Sequence, residues 1–410
     1  MFENIEFVTK VCSIFTWEYS CYLLGREKKE CIKNIVEYLG GLNIFFIKIF
    51  QGLSTCSYFL NPDEVEFMNK YTDNVDYNEE DMDTSFMETL KDVEVDGQKV
   101  TLMSEKPIKS GLIALVYGGM LNGKPVVIKV IRNGINEKIK DAFDRIDYFF
   151  NSIADYDYIK ELNLVDLVEE NKESILSQTN FLQEVINAKQ MYDLYKNVDY
   201  VEIPKVYEQF THENSKMIVM DYVDGMRLED IPDQDKDDYS VLLAKYGMKS
   251  LLFDGYYHGD LHPGNIIFMS EPKRIGLIDF GIMGMLTREE QNCFYEFFTA
   301  INNNEYEKAT RHILDQFVDK NNVKIDETDL VNVVQKIIKT AFECKSSLGP
   351  DDIYEINKEL QTYGMQLSKS FCRLELTLAI SHSVSSKLCH ERSYLDNIKM
   401  VVDDMFDFMK

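Results

Sequence analysis

Apolar residues recur at three- and four-residue steps along the first sixty positions of the chain, as at Phe7, Val11 and Ile14. This period is typical of amphipathic α-helices, so the N-terminal region is predicted to be helical. Gly40-Gly41 predicts a break between two such helices. The stretch from residue 63 to residue 96 is acidic and polar, and we expect a partly helical, solvent-exposed connector there.

Runs of apolar and β-branched residues replace the helical period after Thr101. Leu112–Tyr117 and Val126–Val130 have the composition of strands, and Asn122-Gly123 between them predicts a tight β-hairpin. Helical periodicity returns over residues 136–196 and dominates the C-terminal part of the chain. Four further short strands are predicted, at Val206–Phe210, Met217–Met220, Ile266–Phe268 and Ile275–Ile278.

The predicted strands gather early and the predicted helices late, which is typical of the α+β class. With 410 residues, the chain also exceeds what a single hydrophobic core usually holds, ~250–300 residues. We therefore predict a two-lobed α+β protein in three parts. These are an N-terminal helical extension over residues 1–100, a strand-rich N-lobe over residues 101–224 and a mostly helical C-lobe over residues 225–410.

The charge balance argues against one broad class of partner. The chain has 44 Lys and Arg residues against 70 Asp and Glu residues, which gives a formal net charge of −26. Because binding to a phosphate backbone requires clustered cations, we expect no nucleic-acid partner.

The apolar runs and the cysteines bear on whether the protein crosses a membrane and on the compartment in which it is expected. The longest apolar run, Leu42–Phe50, contains Lys48 and is too short to cross a bilayer, so no transmembrane segment is predicted. Eight cysteines occur without a CxxC pair or zinc spacing, and the first residues are acidic, unlike those of a leader. We expect reduced thiols and a cytoplasmic location. Apolar patches within residues 1–60 are compatible with peripheral contact to a membrane, and an organelle is the alternative location.

The strongest chemical signal is a pair of loops around two predicted strands. His258–Asn265 reads HGDLHPGN, and Ile278–Gly281 reads IDFG. Phosphoryl transfer needs a carboxylate aimed at the acceptor and a cation held at the phosphates. Asp260, five residues before Asn265, is therefore predicted to be the catalytic base.

The same loops contain candidate metal ligands. Asn265 and Asp279 offer hard oxygen atoms, which suit Mg²⁺, and we predict them as its ligands. His258 and His262 could instead form part of a zinc site. That alternative is less favoured, since no third ligand with zinc spacing accompanies them.

A phosphate-binding lysine is predicted in the second strand. Lys129 ends the run Val-Val-Ile-Lys and has apolar neighbours on both sides, as expected for the lysine that contacts the α- and β-phosphates. Glu184, on a helical segment, is the expected salt-bridge partner that orients it. Residues 217–225 have the pattern of a strand that enters a hinge, where four residues are predicted to bind adenine: Met220, Asp221, Tyr222 and Val223.

Two features of an ordinary protein kinase are missing. No GxGxxG glycine loop precedes Lys129, and no Ala-Pro-Glu follows Ile278–Gly281. The motifs that are present resemble those of the UbiB/aarF atypical kinase family, whose members are tied to ubiquinone and other isoprenoid-lipid metabolism. The resemblance rests on Lys48–Gln51, Leu53–Thr55, Pro107–Tyr117, Val127–Val130, Phe181–Asn187, Pro204–Tyr207, Met220–Gly225, His258–Asn265 and Ile278–Gly281.

The resemblance implies a bilobal protein-kinase-like fold that binds ATP or ADP together with Mg²⁺. It implies that the N-terminal extension folds over the nucleotide cleft, with Lys48 and Gln51 pointing at the phosphates. It also implies that Ser110, Gly111 and Ala114 belong to the loop that replaces the glycine loop of other kinases.

Three functions are consistent with these residues. We expect an atypical kinase-like ATPase or phosphotransferase whose acceptor is an unidentified lipid or small molecule. A phosphotransferase of the aminoglycoside or choline kinase type shares the HGDLHPGN loop, but it does not explain Lys48–Thr55 or Phe181–Asn187. A nucleotide-binding regulator without catalysis, of the pseudokinase type, is favoured by Phe50, which stands where the family has Gly, and by the altered loop at Ser110-Gly111.

Overall fold

The structure is a computed structural model that contains helices and antiparallel strands, so the predicted α+β class is confirmed. Two compact units are distinguished, Met1–Ile186 with Val206–Tyr222 and Asn187–Lys205 with Val223–Lys410. The described residues are 2–49, 75–153, 172, 175–319 and 327–344, together with residues 360, 363–368, 384–385, 387–389, 397 and 400–401.

The α-helices of the described residues are amphipathic segments in both units. They are α1 Phe2–Leu23, α2 Lys28–Leu42, α3 Thr84–Leu90, α4 Ile135–Ile153, α5 Phe181–Tyr195, α6 Glu208–Glu213, α7 Asp233–Lys249, α8 Arg288–Asn302, α9 Tyr306–Gln316 and α10 Glu327–Cys344. Short 3₁₀ turns lie at Glu79–Asp81, Leu228–Asp230 and Pro263–Asn265, and a π-helical turn lies at Ser250–Asp254. Among these helices, none is both long and apolar enough to cross a membrane.

The strands are short. They are β1 Asp92–Val95, β2 Gln98–Leu102, β3 Lys109–Ser110, β4 Ala114–Leu121, β5 Lys124–Ile131, β6 Val201–Glu202, β7 Met217–Asp221, β8 Tyr256–His258, β9 Ile266–Ser270, β10 Lys273–Leu277, β11 Met283–Met285, β12 Val318–Asp319 and β13 Gln366–Leu367.

The first unit contains an antiparallel sheet in the order β1-β2-β4-β5-β7, with β3 paired to β4. The β4–β5 hairpin turns at Asn122 and Gly123, whose φ angles of 49° and 86° are those of the tight turn predicted from this dipeptide. Alternate residues of β5 are buried in the core. Because neighbouring side chains of a strand point to opposite faces, Lys129 lies on the face opposite to Ile128.

The N-terminal helices have a core of their own within this unit. Apolar residues of α1, α2, α4 and the segment after α2 pack together, and the helical prediction is confirmed for the described residues 2–49. The buried members include Phe7, Val11, Ile35, Leu39, Phe46, Ile139 and Phe143. Phe7 and Phe46 are stacked, with ring centroids 4.8 Å apart.

The second unit combines small sheets with a helical core. β6 pairs with β10 in parallel, β10 pairs with β9 antiparallel, and β8 pairs with β11 antiparallel. Helices α7, α8, α9 and α10 bury a continuous cluster that includes Met248, Phe294, Leu314, Phe317 and Val334. Gly225 is required next to β9, because a Cβ atom there would lie 2.7 Å from the Phe268 carbonyl oxygen.

The predicted break between two N-terminal helices is present, two residues later than expected: Gly40 and Gly41 lie in the last turn of α2, which ends at Leu42, and a helical segment follows at residues 45–49. Two other predictions about elements are wrong. Val206–Phe210 is not a strand, because only Val206 forms a bridge, to Met220, before α6 begins. The described part of the acidic connector, residues 75–96, is partly helical, as expected, but Asp81 within it is buried rather than exposed, and residues 92–95 form the first strand of the β1–β2 hairpin.

Candidate functional site

A buried ion pair joins the predicted phosphate-binding lysine to its predicted partner. Nζ of Lys129 lies 2.8 Å from Oε1 and 2.9 Å from Oε2 of Glu184. The Lys129 side chain is 14% exposed and that of Glu184 is 2% exposed. A charge pair so poorly solvated holds both side chains in one geometry, since losing either partner would leave the other buried and unpaired.

The start of α5 explains the position of Glu184. Asn180 precedes the helix, and its Oδ1 accepts a hydrogen bond from the Gln183 N–H at 3.1 Å, as an N-cap residue does. Glu184 lies in the first turn of this helix. The ring of Phe181 packs under Lys129, with Nζ 5.5 Å from the ring centroid, and helps to orient the ammonium group.

The predicted phosphate loop lies between β3 and β4. Ser110 is buried, and its Oγ donates to the Val75 carbonyl oxygen. The Gly111 N–H donates to the Ala114 carbonyl oxygen at 2.9 Å, which closes a tight turn. The Ser110 hydroxyl and the Gly111 carbonyl group are both engaged with Arg132, at 2.7 Å and 2.9 Å.

The predicted hinge residues end β7. Met220 is buried, whereas Tyr222 is exposed, and the Tyr222 N–H faces the Pro125 carbonyl oxygen at 3.4 Å. The Asp221 carboxylate accepts from the Tyr207 hydroxyl at 2.8 Å and pairs with Nζ of Lys124 at 2.8 Å. The Asp221 side chain therefore braces the strand end, and any adenine contact there would use the backbone. Val223 follows as the first residue of this stretch that belongs to the second unit.

Of the N-terminal motif Lys48–Gln51, only Lys48 and Ile49 lie among the described residues. Lys48 is half-buried and lies in a helical turn that follows α2. Phe50 and Gln51 lie outside the described residues. The roles of Lys48 and Gln51 at the phosphates stay predictions.

In the second unit, His258 bonds to both loops that contain the predicted catalytic and metal-binding residues. This side chain is 1% exposed, Nδ1 accepts from the Asp260 N–H at 3.0 Å, and Nε2 faces the Asp279 carbonyl oxygen at 2.5 Å. The proton therefore lies on Nε2. Burial lowers the pKa of His258, against the nearby charges of Asp260 and Asp279, so the ring is neutral near pH 7. Both ring nitrogens are engaged by the backbone, which leaves none to bind zinc.

Strand pairing brings the two predicted metal ligands to one end of a hairpin. Ile266 of β9 pairs with Leu277 of β10, and the Ile278 N–H extends the pairing to the Asn265 carbonyl oxygen at 3.2 Å. Asn265, just before β9, and Asp279, just after β10, therefore lie at the same end of this hairpin. Nδ2 of Asn265 donates to the Asp260 carbonyl oxygen at 3.0 Å, which fixes its amide orientation.

Backbone N–H groups of these loops bond to the side chains of Asp279 and His262. Oδ1 of Asp279 accepts from the Gly281 N–H at 3.0 Å. Nδ1 of His262 accepts from the Gly264 N–H at 3.1 Å, so a neutral ring carries its proton on Nε2, which lies 3.8 Å from Oδ2 of Asp260. The Asp260 side chain is 23% exposed and is thus accessible to an acceptor.

Two positioning contacts were not predicted. Nδ2 of Asn187 donates to the Phe280 carbonyl oxygen at 2.9 Å, and Oδ1 of Asn187 accepts from the Tyr256 hydroxyl at 3.1 Å. These bonds hold the Asp279 loop. The signal was in the sequence, since Asn187 ends the Phe181–Asn187 motif, but its role depends on which backbone the fold places beside it. Arg132 bonds to the predicted phosphate loop. Nothing in the sequence pointed to this role, apart from its place directly after the predicted lysine strand.

The donor sets fit a magnesium nucleotide. An amide oxygen and a carboxylate, Asn265 and Asp279, are hard ligands of the kind Mg²⁺ takes with phosphate oxygens and water. A lysine oriented by a glutamate suits the α- and β-phosphates. Asp260 would be the carboxylate that faces an acceptor.

Comparison with known proteins gives the family. A model of the ABC1 atypical kinase-like domain matches residues 71–313, more than half of the chain. The chain is 31% identical over 252 residues to a probable protein kinase UbiB of Aeromonas salmonicida, covering 58% of this chain and 45% of that protein. It is 28% identical over 337 residues to the protein of the same name in Aeromonas hydrophila, covering 78% and 59%. The chain spans about half the length of the curated relatives it matches.

A solved structure agrees with these relationships at the level of the fold. The chain is similar to Rv3197 of Mycobacterium tuberculosis, described in complex with erythromycin, with a TM-score of 0.53 and 16% identity. The likeness covers 95% of this chain and 98% of that one, and it confirms the predicted kinase-like fold. The chain belongs to the UbiB/ABC1 family of atypical kinase-like proteins.

Proposed function

We propose that the chain is a nucleotide-dependent atypical kinase that binds ATP or ADP with Mg²⁺ and acts as an ATPase or phosphotransferase. The observation that carries the proposal is that each unit holds a preorganised set of kinase-type groups. One set is the buried Lys129–Glu184 pair, and the other is Asp260, Asn265 and Asp279 braced by His258. Preorganised charges of this kind are the main source of catalysis in phosphoryl transfer.

Each group has a separate task in this proposal. Lys129 offsets negative charge on the nucleotide phosphates, and Glu184 keeps its ammonium group in place. Asn265 and Asp279 would hold Mg²⁺, which neutralises phosphate charge when bound. Asp260 orients the acceptor hydroxyl and takes its proton as the new bond to the γ-phosphorus forms and the bond to the nucleoside diphosphate breaks.

For the acceptor of the phosphoryl group, the support is the family resemblance and no contact in the structure. The resemblance to UbiB-type proteins supports a link to isoprenoid-lipid or quinone metabolism, with a lipid or small-molecule acceptor. Relatives that carry the name probable protein kinase support phosphotransfer in general.

Thermal shift with nucleotide tests the proposal directly. Wild type and the Asp279→Asn variant are each measured with ATP and with ADP, in the presence and absence of Mg²⁺. We expect stabilisation of the wild type that requires Mg²⁺ and that is lost in the variant, since an amide is a weaker cation ligand than a carboxylate. Absence of any shift in the wild type with both nucleotides would contradict the nucleotide site.

One observation favours a second candidate, a regulator that binds nucleotide without turning it over. The Ser110 hydroxyl donates to the Val75 carbonyl oxygen and the Gly111 N–H to the Ala114 carbonyl oxygen, so both donors are engaged within the protein rather than presented to a phosphate. An ATP hydrolysis assay separates the two functions. A wild type that binds Mg²⁺-ATP but hydrolyses it no faster than Asp260→Asn would be a regulator.

A further inference from the structure

Arg132 is a buried cation placed directly after β5, three residues beyond Lys129. Its side chain is 5% exposed. On one side, the guanidinium group contacts the predicted phosphate loop, with Nε 2.9 Å from the Gly111 carbonyl oxygen and Nη2 2.7 Å from Oγ of Ser110. The Arg132 backbone N–H also donates to the Ile113 carbonyl oxygen at 2.9 Å. Arg132 thus bonds to the loop at three residues, Ser110, Gly111 and Ile113.

On its other side, the same guanidinium group binds the segment that precedes α3. Nη1 lies 2.9 Å from Oδ2 of Asp81 and 3.3 Å from the Asp76 carbonyl oxygen. Nη2 lies 3.2 Å from the Val75 carbonyl oxygen, which also accepts from the Ser110 hydroxyl. Arg132 therefore joins residues 75–81, the phosphate loop and the end of the Lys129 strand.

Asp81 keeps this arrangement charged. Its other carboxylate oxygen, Oδ1, accepts from Nζ of Lys138 at 2.9 Å, and the Asn78 N–H donates to Oδ2 at 3.1 Å. Burial by itself would raise the pKa of Asp81, but Lys138, Asn78 and Arg132 together lower it. Arg132 thus faces a full negative charge in a poorly solvated place, where charge-assisted hydrogen bonds are strong.

The planar fork of the guanidinium group gives these bonds fixed directions. A loop bound through Ser110, Gly111 and Ile113 cannot shift without breaking bonds in a buried site. The position of this loop sets how closely its backbone can approach a bound phosphate.

Resting on the proposed function, we propose that Arg132 is a positioning residue for nucleotide binding. It sets the phosphate loop relative to the strand that carries Lys129, and Ser110 acts through Arg132 rather than by contact with phosphate. Arg132 touches neither substrate nor reacting atoms in this role.

The chain offers a matched control for the test. Lys138 binds the same carboxylate at the same distance, 2.9 Å, but among the described residues its side chain makes no hydrogen bond to the loop. Arg132→Lys keeps the charge and loses the fork, whereas Lys138→Gln removes a charge partner of Asp81 and leaves the loop contacts. Ser110→Ala removes one contact of Arg132 and adds no bulk.

Nucleotide affinity of the full chain is measured by calorimetry with Mg²⁺-ATP. We expect Arg132→Lys to raise the Kd between about tenfold and a hundredfold, as for a displacement of about 1 Å, and Lys138→Gln to change it by less than about threefold. The double variant Arg132→Lys with Ser110→Ala should bind no more weakly than Arg132→Lys, because coupled residues are not additive. In ATP hydrolysis, KM should rise while kcat at saturation is kept, a split that mere loss of folded protein would not produce.

Hydrogen exchange without nucleotide provides a second readout. Backbone amides of residues 110–114 should exchange faster in Arg132→Lys and at the wild-type rate in Lys138→Gln.

The outcomes separate the two proposals. If the wild type binds nucleotide and Arg132→Lys binds equally well, the positioning role is wrong while the proposed function stands. Equal weakening by Lys138→Gln, or unchanged exchange of residues 110–114 in Arg132→Lys, also overturns the positioning role. A wild type that binds neither ATP nor ADP removes the proposed function and the positioning role together.

Discussion

At the scale of single residues, the candidate site consists of charged and polar side chains that are already held by neighbouring groups. Glu184 is almost fully buried against Lys129, and both ring nitrogens of His258 are committed to backbone groups. Such groups do not need to reorganise when a ligand arrives, which is the property that makes electrostatic catalysis effective.

Glu184→Gln tests the ion pair. The amide cannot offset the charge of Lys129, which stays mostly buried, so we expect a loss of stability of about 3–5 kcal/mol. Nucleotide binding should weaken as well, because the ammonium group is no longer held in one place. Urea unfolding and calorimetry with Mg²⁺-ATP measure the two effects. Exposed Glu229→Gln is the control, and a variant at position 184 that behaves like this control would contradict the assigned role.

Asp260→Asn separates binding from turnover. The Asp260 backbone bonds to His258 and Asn265 do not depend on the carboxylate, so the loop should keep its shape. We expect near-normal affinity for Mg²⁺-ATP and a fall in kcat of about 10²–10⁴, the usual contribution of a general base. The assay is single-turnover phosphate release, with exposed Asp230→Asn as the control. Retained turnover would place the base elsewhere.

At the scale of elements, short hydrogen-bonded hairpins position the chemistry. The β9–β10 pairing places Asn265 and Asp279 at the same strand ends, and the β4–β5 hairpin sets Lys129 opposite Val116. Helix α8 begins soon after the Asp279 loop, at a capping box in which Thr287 and Glu290 accept from each other's backbone N–H groups. This cap, at Thr287, lies eight residues after Asp279 and fixes the start of α8.

Thr287→Ala tests that cap. Loss of the hydroxyl acceptor leaves a backbone N–H of the first turn without its partner, so we expect a destabilisation of about 1 kcal/mol. The measurement is urea unfolding followed by circular dichroism. Thr340→Ala, at an exposed position of α10, is the control and should lie within about 0.5 kcal/mol of wild type. Equal effects of the two substitutions would contradict a capping role.

At the scale of the whole molecule, the reactivity of the cysteine thiols depends on how tightly the surrounding core is packed. Cys12, Cys31 and Cys293 form no disulfide bond in the described part of the chain. They differ in surroundings: Cys12 is exposed, whereas Cys293 is buried in the helical core of the second unit and its Sγ contacts the His312 carbonyl oxygen at 3.1 Å.

Alkylation distinguishes these two thiols. Burial raises the pKa of Cys293 to about 12, so only roughly one thiol in ten thousand is ionised at pH 8. Since the thiolate is the reactive form, iodoacetamide should modify Cys12 within minutes and Cys293 only after unfolding. Peptide mass spectrometry with and without urea measures both. Rapid native labelling of Cys293 would show that this core opens readily.

Local patterns allowed much of the fold to be predicted. The Asn122-Gly123 turn, the strands around it and the helical N-terminus were predicted correctly because dihedral preference and hydrophobic period act over a few residues. The strand at Val206–Phe210 was wrong because its apolar residues serve a bridge and a helix instead. Asp81 was wrongly expected to be exposed, since the sequence does not reveal the buried Arg132 that pairs with it.

The sequence by itself determined the family, the α+β class and the identity of the charged groups, because these depend on residue types at fixed spacings. Only the tertiary structure decided which groups meet: Lys129 with Glu184, His258 with the loops of Asp260 and Asp279, and Arg132 with the loop at Ser110-Gly111. The reason is physical. Partners separated by tens of residues are selected by burial and by the need to pair every buried charge, and no short-range pattern encodes that choice.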